Sequence, residues 1–366
     1  MEQRLRDDPQ DAVARQQLDA LRAAGRRRGS AVTGAAGLPA GARVVVTGCA
    51  GFIGSHLAET LLDGGCTVVG VDSLNDYYDP ALKRENLAPL LARTGFEFRH
   101  ADLNDLDAVD LLAGSRAVFH LAAQAGVRAS WGAQFGDYLD RNLAATQRLL
   151  EACRHPRVAP GLARFVYSSS SSVYGDRLDL PVTERALPQP FSPYGVTKLA
   201  AEHLCVLYSA NHGVPATALR YFTVYGPRQR PDMAFRKFLE AAFDGKPWLV
   251  FGDGSQTRDF TYVADAVEAN LLAVGAPGPW AVYNVGGGSR IRLTAALTAM
   301  RDLLREAAPE VRVVIEHVPV EKGDVRDTWA DPGLIRDEIG YVAQVPFDEG
   351  LRREVFWVAA RRRGHV

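Results

Sequence analysis

"VVVTGCAGFIGSHLAETLL", Val44 to Leu62, is the stretch whose reading decides the fold. Three valines end in Gly48, and Gly51 and Gly54 follow as a helical pattern begins. Gly48 permits a tight turn, and the next glycine lets backbone N–H groups approach a pyrophosphate. The helix N-terminus adds its partial positive charge. A glycine triplet alone would serve a structural turn equally well. The strand before it and the helix after it are what the dinucleotide motif requires. The stretch therefore nominates Gly48, Gly51, Phe52, Ile53 and Gly54 for cofactor binding. The next apolar run ends in Asp72, eighteen residues beyond Gly54 (72 − 54). An acid there accepts hydrogen bonds from ribose hydroxyls and repels a 2′-phosphate, so the cofactor expected is NAD rather than NADP. A strand-end turn former is the competing use of Asp72.

Outward from this stretch, short β-branched runs alternate with helical segments. "ARVVVTG", "CTVVGVD", "FEFRHAD", "RAVFHLAA", "RFVYSSS" and "PATALRYF" each read as a buried strand. "GSHLAETLLDGG" and "YLDRNLAATQRLLEACR" read as helices between them. Fully apolar strands alternating with helices predict an α/β fold, a doubly wound parallel sheet covered on both faces. After Tyr221 the pattern is less regular. "RPDMAFRKFLEAAFDGK" reads as a helix, "PWLVFGDGSQTRDFTYV" as strand, turn and strand, and "EVRVVIEHVPV" as a strand. These pieces predict a smaller C-terminal α/β cap. The expected division is a polar extension over 1–40, a Rossmann domain over 41–222 joined by a later segment near 258–290, and a cap from 223–257 and 291–366. Ligands are expected between cap and sheet.

Composition narrows the class. The chain has 366 residues, 47% of them apolar and 23% charged, with a formal net charge of -1. No global basic field calls for nucleic acid, and no apolar run is long enough to span a membrane. The N-terminal thirty residues lack the apolar core of a signal peptide. Cys49, Cys66, Cys153 and Cys205 have neither metal nor disulfide spacing, which predicts no metal and a cytoplasmic protein with reduced thiols. "GRRRG" near residue 27 reads as a solvated charge run.

Two features carry chemistry. In "SPYGVTKLAAEHL", Tyr194 and Lys198 lie four apart and share one helical face. A nearby ammonium and an oxidised nicotinamide favour a phenolate, which can then remove a hydroxyl proton while hydride leaves the same carbon. The second feature is "RFVYSSSSSVYG", Arg164 to Gly175, which delivers five serines to a strand end with no acid among them.

The GxxGxxG spacing, the serine strand and the Tyr-Lys pair together resemble the short-chain dehydrogenase/reductase superfamily, in particular its extended branch, over Arg43 to about Asp331. The resemblance implies catalytic roles for Tyr194, Lys198 and Ser170, the last four residues before Tyr174. It implies adenine contacts from Asp102 and Leu103, and a loop beneath the cofactor in "HLAAQ", with Leu121, Ala122, Ala123 and Gln124. Asn75, Asn142 and Tyr221 complete the cofactor set, while His120 reads as a strand-end residue. "SLNDYYDPALK", "HLAAQAGVRAS" and "RYFTVYGPRQRPDMAFRKF" look specifically like nucleotide-sugar epimerases acting on UDP-glucuronate. Dehydratases of this branch carry an Asp-Glu pair where Ser171 and Ser172 stand here, so water elimination has no agent. UDP-glucuronate decarboxylases carry Glu at the second position, and Ser172 argues against them as well.

Neutral hydroxyls bind an anion well, because a carboxylate accepts several hydrogen bonds. Ser170, Ser171, Ser172 and Thr223 are thus expected around the 6-carboxylate of a uronic acid. For the nucleotide, the resemblance implies Arg258 at the pyrophosphate, with Asp324, Arg326, Arg128 and Arg230 as further substrate contacts. Phe251 is a candidate to pack on uracil. Arg228 departs from the family's usual small or aromatic residue after "YGP". The expected activity is 4-epimerisation of UDP-glucuronate to UDP-galacturonate. The alternatives are a 4-epimerase of UDP-glucose or UDP-N-acetylglucosamine, a UDP-glucuronate decarboxylase, or a non-enzymatic NAD-binding regulator. A homodimer through the helices near Asp137–Arg154 and Tyr194–His212 is the expected assembly.

Overall fold

The computed structural model describes residues 37–319 and 325–364. The polar extension up to residue 36 and Asp324 lie outside the described residues.

Seven strands form one sheet: β1 (Arg43–Thr47), β2 (Thr67–Asp72), β3 (Phe96–His100), β4 (Ala117–His120), β5 (Arg164–Ser170), β6 (Ala216–Tyr221) and, after a long excursion, β10 (Trp280–Val285). Their order is β10-β6-β5-β4-β1-β2-β3, and every pairing is parallel. The chain winds outward from β1 to β3, then crosses back to β4 and winds the other way. The switch lies between β1 and β4, where the carboxyl ends of the strands leave a crevice for a ligand. Val44, Val45 and Val46 are wholly buried, as a strand covered on both faces requires. β3 differs from expectation: it is the edge strand and is partly exposed, so "FEFRHAD" is not a buried strand.

The helices used below are α1 (Phe52–Asp63), α2 (Pro80–Leu91), α3 (Ala108–Leu112), α4 (Phe135–Tyr138), α5 (Ala145–Cys153), α6 (Pro193–His212), α7 (Ala234–Phe243), α8 (Val263–Ala273), α9 (Leu293–Ala307), α10 (Gly333–Ile339) and α11 (Phe347–Arg362). The single helix expected from "YLDRNLAATQRLLEACR" is interrupted. A π-helical turn over Leu139–Ala144 joins α4 to α5 and holds Asn142. β7 (Thr223–Tyr225), β9 (Thr257–Tyr262) and β11 (Arg290–Arg292) form a three-stranded sheet, while β8 (Trp248–Phe251) pairs with β12 (Ile315–Val318). The two strands read from "PWLVFGDGSQTRDFTYV" therefore belong to different sheets. The strand expected over "EVRVVIEHVPV" is confined to Ile315–Val318. A ring cluster of Tyr225, Phe235, Phe260, Tyr262 and Phe347 ties β7, β9, α7 and α11 together.

Candidate active site

The glycine loop is shaped by backbone contact. Gly48 has φ +72, and a Cβ there would stand 2.8 Å from the Ala122 nitrogen. Gly51 caps α1 without any side-chain hydrogen bond, and the first turn carries no acid. Its N–H groups and its partial charge are thus directed at the crevice. Gly48, Gly51, Phe52, Ile53 and Gly54 line an open cleft of about 210 Å³. The same cleft is lined by Asp72, Asn75, Asp102, Leu103, Leu121, Ala122, Ala123, Gln124, Tyr194, Lys198 and Tyr221. Asn142 stands behind this wall. Its amide donates to Gln124 O (3.1 Å) and Thr197 Oγ1 (3.0 Å), and its Oδ1 accepts from Gln124 N (2.7 Å). It holds the floor of the cleft to α6.

Several lining residues were not read from the sequence. Asp72 accepts from Ala50 N (3.2 Å) and Leu74 N (2.9 Å), which ties the glycine loop to the loop after β2. Lys83, on α2, lies 3.6 Å from the same carboxylate and donates to Asn75 (2.8 Å). Burial lowers its pKa and Asp72 opposes that shift. This arrangement yields a test. Asp72→Ser removes the repulsion of a 2′-phosphate and leaves the lysine to attract it. We expect the nucleotide recovered from the purified variant to shift from NAD toward NADP by roughly tenfold or more. An unchanged ratio would show that Asp72 does not read the ribose.

The five serines have separate fates. Ser168 lines the cleft, and its hydroxyl is buried without a partner at hydrogen-bond distance, although the Tyr221 phenol is near enough to sense it. Ser169 donates to Glu202 (2.8 Å), itself ion-paired with Arg220 inside the protein. Ser170 Oγ accepts from Ser172 N (3.1 Å), which leaves its proton for the Tyr194 oxygen. Ser171 and Ser172 form the half-buried turn that follows.

Tyr194 and Lys198 stand on successive turns of α6. The Lys198 ammonium lies 6.0 Å from the Tyr194 ring centroid and donates to Ser168 O (2.8 Å). Burial pulls its pKa down to about 7. Burial also pushes the Tyr194 phenol above its ordinary value. The charge of Arg230 and the bond from Ser170 pull it back, and Asp232 adds to the rise. Arg230 thus joins Lys198 as a positive charge beside the phenol, a neighbour that the helical spacing does not announce. Arg230 lines the cleft with both carboxylate oxygens of Asp232 at 2.9 Å. His120 is held between Thr47 (2.8 Å) and Thr146 (2.9 Å), and burial takes its pKa down to about 3. The ring stays neutral.

The residues expected at the nucleotide are more dispersed. Arg258 donates to the backbone carbonyls of Thr257 (2.9 Å), Arg326 (2.9 Å) and Val325 (2.7 Å). Asp259 points to the other face of β9, buried against the N–H groups of Gly287 and Ala330, and burial raises its pKa to about 6. The Arg128 guanidinium stacks on the Phe251 ring at 4.4 Å, so that ring carries an arginine where uracil was expected. Thr223 opens β7, half-buried. Arg326 is largely exposed, 4.0 Å from Asp327.

The profile of the NAD-dependent epimerase/dehydratase family matches residues 44–286. The chain belongs to that family. A Bacillus subtilis relative, named as an uncharacterized UDP-glucose epimerase, YtcB, is 39% identical over 88% of this chain and 99% of its own. A UDP-glucuronate 4-epimerase of Thermodesulfobacterium geofontis is 36% identical over 86% of this chain and 95% of its own. Among solved structures, UDP-glucuronic acid 4-epimerase of Bacillus cereus, in complex with UDP-glucuronic acid and NAD, superposes with a TM-score of 0.80 at 39% identity. That match covers 86% of this chain and 98% of the other. As a member of this NAD-dependent epimerase/dehydratase family, the chain has a cleft whose glycine cradle, uncapped helix and unpartnered Ser168 hydroxyl fit a dinucleotide.

Proposed function

We infer that the protein is a UDP-glucuronate 4-epimerase using NAD, producing UDP-galacturonate through a transient 4-keto sugar. One juxtaposition carries the reading. Tyr194 and Arg230 face the cleft, Ser170 neighbours the phenol, and the turn that follows β5 carries the hydroxyls of Ser171 and Ser172 instead of an acid and a base. Such a site can move one proton at a sugar hydroxyl and hold a carboxylate, but it has no agent for expelling water.

When bound, NAD supplies the hydride acceptor at the 4-carbon and the donor that returns it. The chain does the rest. Tyr194 Oη takes the 4-hydroxyl proton, Ser170 donates to the same oxygen, and Lys198 stands beside both. Glycines 48, 51 and 54 and the first turn of α1 receive the pyrophosphate of the dinucleotide, and Asp72 its adenosine ribose. Asp102 and Leu103 serve the adenine, while Arg258 and Arg128 serve the substrate's diphosphate. The keto sugar must offer its second face in the cleft, so the polar contacts on the sugar have to be few and exchangeable.

The 4-keto uronic acid is a β-keto acid and prone to lose carbon dioxide. Ser171, Thr223 and Arg230 hold its carboxylate so that the breaking bond stays out of line with the carbonyl π system. The deciding experiment follows the sugar protons by NMR after UDP-glucuronate is added to purified protein without NAD. UDP-galacturonate alone is the expected product. A UDP-pentose would instead assign a decarboxylase, and no change even with NAD would point to neutral UDP-sugars. Thr223→Ala and Ser171→Ala should raise the pentose fraction severalfold. Unchanged product purity would remove the clamp from the account.

We take the protein to act as a cytoplasmic homodimer. Buried free thiols at all four cysteines suit a reducing compartment. Leu139, Val196 and Leu207 leave apolar side chains exposed on the helices expected to pair. Among the described residues no helix is long and apolar enough to cross a membrane.

A further inference from the structure

Among the described residues, two that are not glycine hold a left-handed backbone: Leu74, at φ 48, and Arg228, at φ 68. Such a conformation persists only where the surroundings over-determine it. At Arg228 the surroundings are α1, the helix whose N-terminus faces the dinucleotide cleft. The guanidinium donates to Ser55 Oγ (3.2 Å) and to Glu59 Oε1 (2.7 Å), with the pair only 18% and 26% exposed. On the same helix, His56 bonds to the Pro227 carbonyl (2.9 Å). A carbonyl only accepts, so the proton sits on Nε2. Burial, with the charge of Arg228, pushes the His56 pKa down to about 3, so the ring stays neutral.

The far side of the same loop is pinned as well. Gly226 N donates to Glu354 on α11 (2.9 Å). Gln229, itself buried, donates to Val224 O (3.2 Å) and accepts from Arg236 N (3.0 Å). Residues 226–229 thus touch α1, α7 and α11, and the next residue is Arg230, which lines the same cleft as Tyr194. Residues 228 and 59 lie 169 apart in the chain, so no local pattern announces the pair.

We propose that Arg228 is a positioning residue: its ion pair with Glu59 holds the Gly226–Asp232 loop on the pyrophosphate-facing helix and thereby fixes Arg230 against Tyr194 and the sugar carboxylate. The carboxylate half rests on the UDP-glucuronate reading; the Tyr194 half does not. The groups facing Tyr194 are Lys198 from its own helix, Ser170 and Tyr167 from β5, Tyr138 from α4, and Arg230 with Asp232 from the loop. Of these, only the last two ride on the loop. Arg230 is the stronger influence of the two, so a loosened loop leaves the phenol harder to ionise.

Glu59→Gln, Arg228→Gln and the charge-swapped pair Glu59→Arg with Arg228→Glu test this. Tyr194 ionisation is read from the ultraviolet difference titration of each protein against its own Tyr194→Phe counterpart, which needs no substrate. Both single variants should titrate Tyr194 at higher pH. Both should also raise KM for UDP-glucuronate by roughly five- to tenfold, with kcat on the high-pH plateau little changed. The swapped pair should recover both. Single variants that titrate like the parent would overturn the proposal. So would a shift that the swapped pair fails to reverse, since that marks a structural defect. Glu59→Gln, nearly isosteric, guards against misfolding. A parent protein inactive on UDP-glucuronate would sink the substrate assignment, and the titration would still decide the role of Arg228.

Discussion

Tyr194→Phe should lower kcat by roughly 10²- to 10⁴-fold, the span a positioned general base contributes. Retained nucleotide and UDP-glucuronate affinity should change by no more than about threefold. The split follows from where the phenol sits. Its oxygen lies beside Ser170, and its ring meets Tyr138 edge-on with centroids 6.3 Å apart, a packing that phenylalanine keeps. The deletion therefore removes proton transfer and leaves the cleft intact. Burial holds the phenol above its ordinary value, so the working base is the minority form at neutral pH. In the parent protein kcat/KM should accordingly rise with pH and level off only where the phenolate dominates. Cations that favour the phenolate, Arg230 and the bound nicotinamide, move that limb to lower pH. Stopped-flow or NMR rates across pH, with equilibrium binding of UDP-glucuronate to both proteins, check the prediction. A variant that kept more than about a tenth of the activity would take the base away from Tyr194.

What the sequence made legible was what repeats or sits locally. The β/α alternation from Arg43 to Tyr221 shows as periodicity, and the sheet follows from it because buried parallel strands must be apolar on both faces. The glycine loop shows because its three positions lie within seven residues, and the Tyr194–Lys198 pair because it lies four apart on one helical face. What did not show depends on partners far along the chain. Lys83 reaches Asp72 only once α2 has folded over the β2 end. The carbonyls of Val325 and Arg326 that orient the Arg258 guanidinium come from a segment almost seventy residues on. The π turn holding Asn142 breaks a run whose composition is wholly helical. The serine run looks like one feature, yet its members alternate across a strand. Ser168 and Ser169 both line the cleft, but the Ser169 hydroxyl turns to the Glu202–Arg220 pair, while Ser170 neighbours the Tyr194 phenol.

Gly54→Ala should cost the protein its nucleotide. The usual reason for glycine, a left-handed backbone, does not apply within α1. The reason here is proximity: an added Cβ would stand 2.9 Å from the Gly48 carbonyl carbon, closer still to its oxygen, and 3.2 Å from Cys49 Cα. All three are backbone atoms of the loop that must cradle the pyrophosphate, so no flexible side chain can yield. Either α1 withdraws or the loop rotates, and each movement takes the first-turn N–H groups off the phosphate. Overpacking of this kind costs about 1–3 kcal/mol in a core, and the loop loses its ligand as well. We expect Gly54→Ala to purify without bound NAD, to need added NAD at more than about tenfold higher concentration for activity, and to melt several degrees lower. Gly136→Ala is the matched control. A Cβ there meets nothing within 4 Å, its φ is not positive, and it lies in α4, so retention and melting should be unchanged. If Gly54→Ala kept its nucleotide and melted with the parent, the close approach of helix to loop would not be what shapes the cradle. The anion affinity would then have to rest on the helix dipole and its free N–H groups alone.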